Sequence, residues 1–176
     1  MNTDIMIDLE TLDVLPSATI LSIGAVKFDP FGDDVNEKKC EKFYVRVDVD
    51  SCDRIGATVS QATLDWWANQ SQAAQDEAFD PANRVSIEEA MTQLYKFCWG
   101  GKRVWSHGAG FDVTILEWYF RKIGKAIPWS FWVLLEDAAG FVNRDFEFEL
   151  APENQVMGPL RKDRLGHGAA GTRPSG

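Results

Sequence analysis

Apolar residues recur along this chain in two rhythms, and the change from one to the other marks its elements. In Asp4-Ile5-Met6-Ile7-Asp8-Leu9-Glu10-Thr11, apolar positions lead into two carboxylates spaced i, i+2. On an extended strand that spacing sets both side chains on one face. After a turn containing Pro16, Ala18 to Phe28 reads as a second strand. It places Ile20, Ser22, Gly24, Val26 and Phe28 on one face and Leu21, Ile23, Ala25 and Lys27 on the other. Asp29 to Asp34 carries turn residues, and Lys42 to Val47 alternates as a third strand. Three strands with short connections predict an antiparallel meander.

Beyond residue 58 the period lengthens. Thr63-Leu64-Asp65-Trp66-Trp67, within Thr58 to Gln70, predicts a short helix. Adjacent tryptophans cannot share one helical face, so one is expected under the sheet and its neighbour on a partner surface or lid. Ser86-Ile87-Glu88-Glu89 has the form of a capping box, and Ile87, Ala90, Met91, Leu94, Phe97 and Cys98 repeat at helical spacing. That helix should stop near Trp99, before Gly100-Gly101. Lys102 to Ser106 reads as a further strand, and His107 to Gly110 as a turn into Phe111-Asp112. Val113, Leu116, Tyr119, Phe120 and Ile123 then mark a helix closed by Gly124 and Pro128. Asp112 falls where strand passes into helix. An acid is favoured there by the helix dipole, and the same carboxylate can also face a metal.

Composition narrows the function. The 176 residues are 45% hydrophobic and 12% aromatic, enough for one folded domain with a substantial core. No run of 18 apolar residues and no basic-then-apolar leader occurs, so a soluble, cytoplasmic protein without a membrane span is expected. Cys40, Cys52 and Cys98 form no C-x-x-C pair, and with His107 and His167 as the two histidines they predict a reducing compartment and no zinc site. A net charge of −9 argues against coating a duplex, which needs a lysine- and arginine-rich surface. It leaves nucleic acid open as a substrate, because bound cations invert the local field where a phosphate sits. Asp8 and Glu10 repel unless a cation lies between them, and hard oxygen ligands select magnesium or manganese over zinc. The bland alternative is a strand ending in solvated acids.

Several ordered motifs resemble one family. Met6 to Leu12 followed by Ala18 to Pro30 resembles the first motif of the DEDD (DEDDh-type) 3′–5′ exonuclease superfamily. Thr63-Leu64-Asp65-Trp66-Trp67 is similar to the T-x-x-W-W segment of its exonuclease VIII-like and phage exonuclease A-like branch. Trp105 to Asp112 resembles the second motif, and Pro128-Trp129-Ser130-Phe131-Trp132 the P-x-x-F-W that follows. The resemblance implies an α/β, ribonuclease H-like mixed sheet, a three-strand antiparallel meander extended by parallel strands and flanked by helices. It implies an exonuclease core over residues 1–132 and a divergent segment over 133–176 that reads as truncated, frame-shifted or disordered.

It also implies a chemistry. Two Mg2+ or Mn2+ ions roughly 4 Å apart would share Asp8, with Glu10 and Asp112 each holding one side. One ion activates water and the other stabilises the leaving 3′-oxygen, at the 3′ end of single-stranded DNA or RNA. A third motif H-x-A-x-x-D should add a general base and a fourth carboxylate. Here His167-Gly168-Ala169-Ala170-Gly171-Thr172 keeps the histidine, the expected base, and has Thr172 in place of the acid. Asp163 lies on the wrong side of His167 for that motif, and no spacing selects among Glu136, Asp137, Asp145, Glu147 and Glu149 as stand-ins. The alternative is therefore a catalytically impaired nucleic-acid-binding protein. Oligomeric state is not encoded in any of these motifs.

Overall fold

The computed structural model describes residues 3–30, 40–107 and 110–129, together with the backbone of 134–136. At its centre is β1 (Asp4–Thr11), which pairs antiparallel with β2 (Ile20–Phe28). β2 pairs antiparallel with β3 (Glu41–Val47), completing the expected meander. β4 (Arg84–Val85) joins β3 in parallel, β5 (Arg103–Ser106) joins β1 in parallel, and β6 (Leu134–Glu136) joins β5 in parallel. The six-stranded order is β4-β3-β2-β1-β5-β6. The helices are α1 (Val49–Asp53), α2 (Gln61–Ala68), α3 (Gln72–Phe79), α4 (Ile87–Cys98) and α5 (Asp112–Lys122). A parallel neighbour such as β5 cannot be reached by a hairpin, and the long crossover through α1 to α4 supplies the connection. The result is the ribonuclease H-like mixed sheet flanked by helices.

One face of β1 sets the main core. Ile5, Ile7 and Leu9 pack with Ile87, Ala90, Met91, Leu94 and Cys98 of α4 and with Val113, Leu116, Tyr119 and Phe120 of α5. Burying a large apolar side chain contributes about 1.5–3 kcal/mol, so this two-helix layer holds the sheet's central strand rigid. α4 starts where the predicted box stands, with the Ser86 hydroxyl accepting from the Glu89 N–H at 3.3 Å. It stops before Gly100, whose φ of +82° suits a residue without a Cβ. α5 ends in the same way before Gly124, at φ +67°.

Strict alternation in the second strand does not survive. Glu10 lies opposite Ser22 but Thr11 lies opposite Ile20, so Leu21 is the extra residue of a β-bulge. Ile20 therefore joins Ile23 and Ala25 in the main core, while Leu21 turns to pack with Leu12, Trp67 and Ala78. The bulge lies beside Glu10, at the end of β1 where the acids sit. Both tryptophans of α2 serve that second cluster. Trp67 is buried, and half-buried Trp66 packs edge-on against it at 5.0 Å between ring centroids.

The Trp67 indole N–H donates to the Thr11 carbonyl at 2.9 Å, pinning α2 to the end of β1. Trp67→Phe keeps most of the apolar contact but strips that buried carbonyl of its donor. Urea denaturation should show a loss of about 1–3 kcal/mol. An unchanged midpoint would mean that the bond contributes nothing.

Cys40, Cys52 and Cys98 are free thiols. No helix among the described residues is long and apolar enough to cross a membrane.

Candidate active site

At their C-terminal ends the neighbouring parallel strands β1 and β5 part, β1 turning to β2 and β5 running on to α5. Open sheets form ligand crevices at such a divergence, beyond the carboxyl ends of their strands. Asp8 and Glu10 project from one face of β1 at this end, opposite Gly24 and Ser22 of β2. These are two of the smallest residues available, and both are buried.

Asp112 reaches the same crevice from the first turn of α5 and is 4% exposed. No side chain caps this helix from Phe111, so the Asp112 carboxylate itself is the anion at its positive end. The Ser106 side chain and the backbone N–H groups of Asp112 and Leu9 favour its charged form and pull its carboxyl partly back down. Leu9 is the residue between Asp8 and Glu10. A strand and a helix distant in sequence thus bring three carboxylates together.

Their electrostatics are unfavourable as they stand. Burial pushes the Glu10 carboxyl up to about 8, and the negative charges of Asp8 and Asp112 add to the rise. Asp112 is raised by burial first and by Asp8 second. Asp8 is raised by burial and drawn partly back by His107. Asp4 makes an instructive contrast on the same strand face. It is fully buried, yet Arg103 Nε lies 2.8 Å from Oδ2, Arg103 Nη2 donates to Oδ1 at 3.0 Å, and the Trp105 N–H donates to Oδ2 at 2.7 Å. Asp4 is a structural acid with its own cation. The three acids at the other end of β1 are held without one among the described residues.

By type the three acids are the hard oxygen donors that a divalent cation takes, but among the described residues no three His, Cys, Asp or Glu side chains are placed so that they could hold a metal ion.

Asp8, Glu10 and Asp112 lie near enough for their charges to act on one another. His167 lies outside the described residues, as do Asp137, Asp145, Glu147, Glu149 and Asp163; Glu136 lies in β6, where the backbone alone is described. The sequence reading did not single out the polar group on β3. Tyr44 and Arg46 stand opposite Gly24 and Ser22, on the same face as the acids, and both bind Glu77 of α3, at 3.0 and 2.7 Å. Arg46 also pairs with Asp80 at 3.0 Å. This fixes α3 beside the crevice. The alternation of Lys42 to Val47 could have revealed the face but not the partners, which come from a helix that lacks an apolar stripe.

No curated protein matches the chain. A family model described as the 3'-5' exoribonuclease Rv2179c-like domain matches residues 3–150, a span that includes every acid of the crevice and extends past the last of the recognised motifs at Trp132. The chain belongs to the 3'-5' exoribonuclease Rv2179c-like domain family.

Proposed function

We propose that this protein is a metal-dependent 3′–5′ exonuclease that removes nucleotides from the 3′ end of single-stranded RNA. The observation carrying this reading is that Asp8, Glu10 and Asp112 lie near enough in one crevice for their charges to act on one another. The family description favours RNA over DNA. The exonuclease VIII-like branch that Thr63 to Trp67 resembles would use the same carboxylates, so the chemistry does not depend on the branch. Free thiols suit a reducing, cytoplasmic setting.

Asp8, Glu10 and Asp112 would hold Mg2+ or Mn2+. When bound, such ions polarise the phosphodiester and lower the pKa of an attacking water. The chain's own contribution would be to fix the carboxylates on a rigid strand and helix.

A second reading, a binding module of impaired activity, rests on Thr172 standing where the third-motif acid is expected. A 5′-labelled single-stranded oligoribonucleotide in Mg2+ separates the two. The enzyme shortens it one nucleotide at a time from the 3′ end, whereas the binding module retains it intact.

The metal makes a separate prediction about stability. Glu10 has a folded pKa of about 8 against an ordinary 4.5, so the stability linked to it is full below pH 4.5 and is lost as pH rises toward 8. Asp8 and Asp112 are raised in the same sense. Metal-free protein should therefore lose on the order of 2–4 kcal/mol between pH 5 and pH 9. Glu10→Gln should flatten that slope. Mg2+ should raise the melting temperature at pH 8 and do little at pH 5, where protons compete for the carboxylates. Equal Mg2+ shifts at both pH values would contradict this assignment.

A further inference from the structure

The protein carries a net charge of −9, yet the end of the sheet away from the acids is basic. α5 begins at Asp112 in the crevice and runs away from it to Lys122. The Lys102 N–H donates to the Thr3 carbonyl at 2.7 Å, which places the turn after α4 beside the N-terminal end of β1. Tyr95 and Phe120 meet edge to face with ring centroids 6.5 Å apart, so the last turns of α4 and α5 lie side by side there. Lys96, Lys102, Lys122 and Lys125 are exposed on these segments, and among the described residues no carboxylate pairs with any of them. Glu117 of α5 is already taken by Arg121, at 2.6 Å.

Trp99 stands among these cations. It is 73% exposed, whereas the other tryptophans whose side chains are described are buried or half-buried. Its ring leans on half-buried Tyr95 at 6.3 Å between centroids, and its carbonyl accepts from the Lys27 ammonium at 3.2 Å. A Cβ at the neighbouring Gly100 would have no heavy atom within 4 Å, so open space lies beside Trp99. The other exposed groups of this turn are lysines, which is not the apolar centre that a stable protein interface needs. An aromatic face flanked by unpaired cations suits a stacked base with phosphates on either side.

We propose that Trp99 and the lysines around it form a second binding site, for the body of a single strand whose 3′ end lies among the acids. That the strand is RNA rests on the nuclease reading above. One base stacks on the Trp99 indole, and Lys96, Lys102 and Lys122 take neighbouring phosphates. Along β1, Asp4 at this end and Glu10 at the other are separated by roughly 20 Å, at about 3.3 Å per residue. Three stacked nucleotides cover about 10 Å and twenty cover about 70 Å, so a long strand occupies both sites and a short one does not.

The test compares the full chain with Trp99→Ala, Trp99→Phe and the double variant Lys96→Gln, Lys102→Gln, on oligouridylates of three and twenty nucleotides. Binding is read as Kd in chelator, where no strand is consumed, and turnover as kcat/KM in Mg2+. Trp99→Ala should weaken binding of the long strand about 5- to 100-fold and lower its kcat/KM in proportion, with kcat/KM on the trinucleotide within about twofold of the parent. Trp99→Phe keeps a stacking face and should stay within about threefold on both. The double variant should flatten the slope of log Kd against log salt by about 1.4. Equal losses on both lengths, an alanine variant that binds the long strand as the parent does, or a parent that does not bind it in chelator overturns the proposal while the nuclease reading stands. So does an alanine variant that changes oligomeric state without RNA, since the surface would then hold a second copy of the chain. A parent that binds the long strand through Trp99 but never shortens it overturns the nuclease reading and leaves this site in place.

Discussion

Asp8→Asn should lower kcat/KM by about 1000-fold or more, equivalent to roughly 4 kcal/mol of transition-state stabilisation, and at the same time make the metal-free protein more stable. The two effects have one cause. Asp8 lies near half-buried Glu10 and buried Asp112, and its carboxyl is held above the ordinary range because the charged form is poorly solvated there. The amide keeps the shape and removes one of three like charges. Above pH 7 the crevice should then gain about 1–2 kcal/mol at that site, a rise of a few degrees in melting temperature. Stability sacrificed at a site is the usual mark of function. Activity within tenfold of the parent, or a destabilised metal-free variant, would show that Asp8 is an ordinary surface acid.

Asp4→Ala should do the reverse, costing stability without touching the chemistry. Asp4 accepts from Arg103 and from the Trp105 N–H while fully buried, and it sits in register with Arg103 where β1 meets β5. Asp4 is buried but the Arg103 side chain is 34% exposed, so water still reaches the arginine and the loss should be about 1–3 kcal/mol, chiefly from the Trp105 N–H left without its acceptor. For a chain of this length that is on the order of 5 °C in melting temperature. Asp4→Asn should lose less, because its carbonyl still accepts from Trp105. Enzyme that remains folded should turn over at the parent rate. A melting temperature within 2 °C or so of the parent would mean that β1 and β5 are held by backbone pairing alone.

These two aspartates show how far the sequence reaches. Asp4 and Asp8 lie on one strand and on one face, and nothing in the run Asp4 to Thr11 says which one meets an arginine and which a metal. That distinction comes from the parallel partner strand. The ends of α4 and α5 were readable because a capping serine, an apolar stripe and a following glycine act within a single helix. α3 was not, since Gln72 to Phe79 buries just Ala74 and Ala78 and is held to the sheet by Glu77 through Tyr44 and Arg46. Leu21 was assigned the wrong neighbours because a bulge is a property of two strands and breaks the alternation of one. The place of Asp112 at the start of α5 was readable because the turn into that helix is local. His167 and the third-motif positions lie outside the described residues, so the base remains an expectation of the family resemblance.

If three carboxylates from β1 and α5 work on the 3′ end of RNA with divalent metal, a 5′-labelled single-stranded oligoribonucleotide incubated in Mg2+ and run on a denaturing gel should give a ladder shortening by single nucleotides from the 3′ end, absent with chelator and absent in Asp8→Asn. An intact substrate at every Mg2+ and Mn2+ concentration, or a ladder that persists in Asp8→Asn, would contradict that assignment.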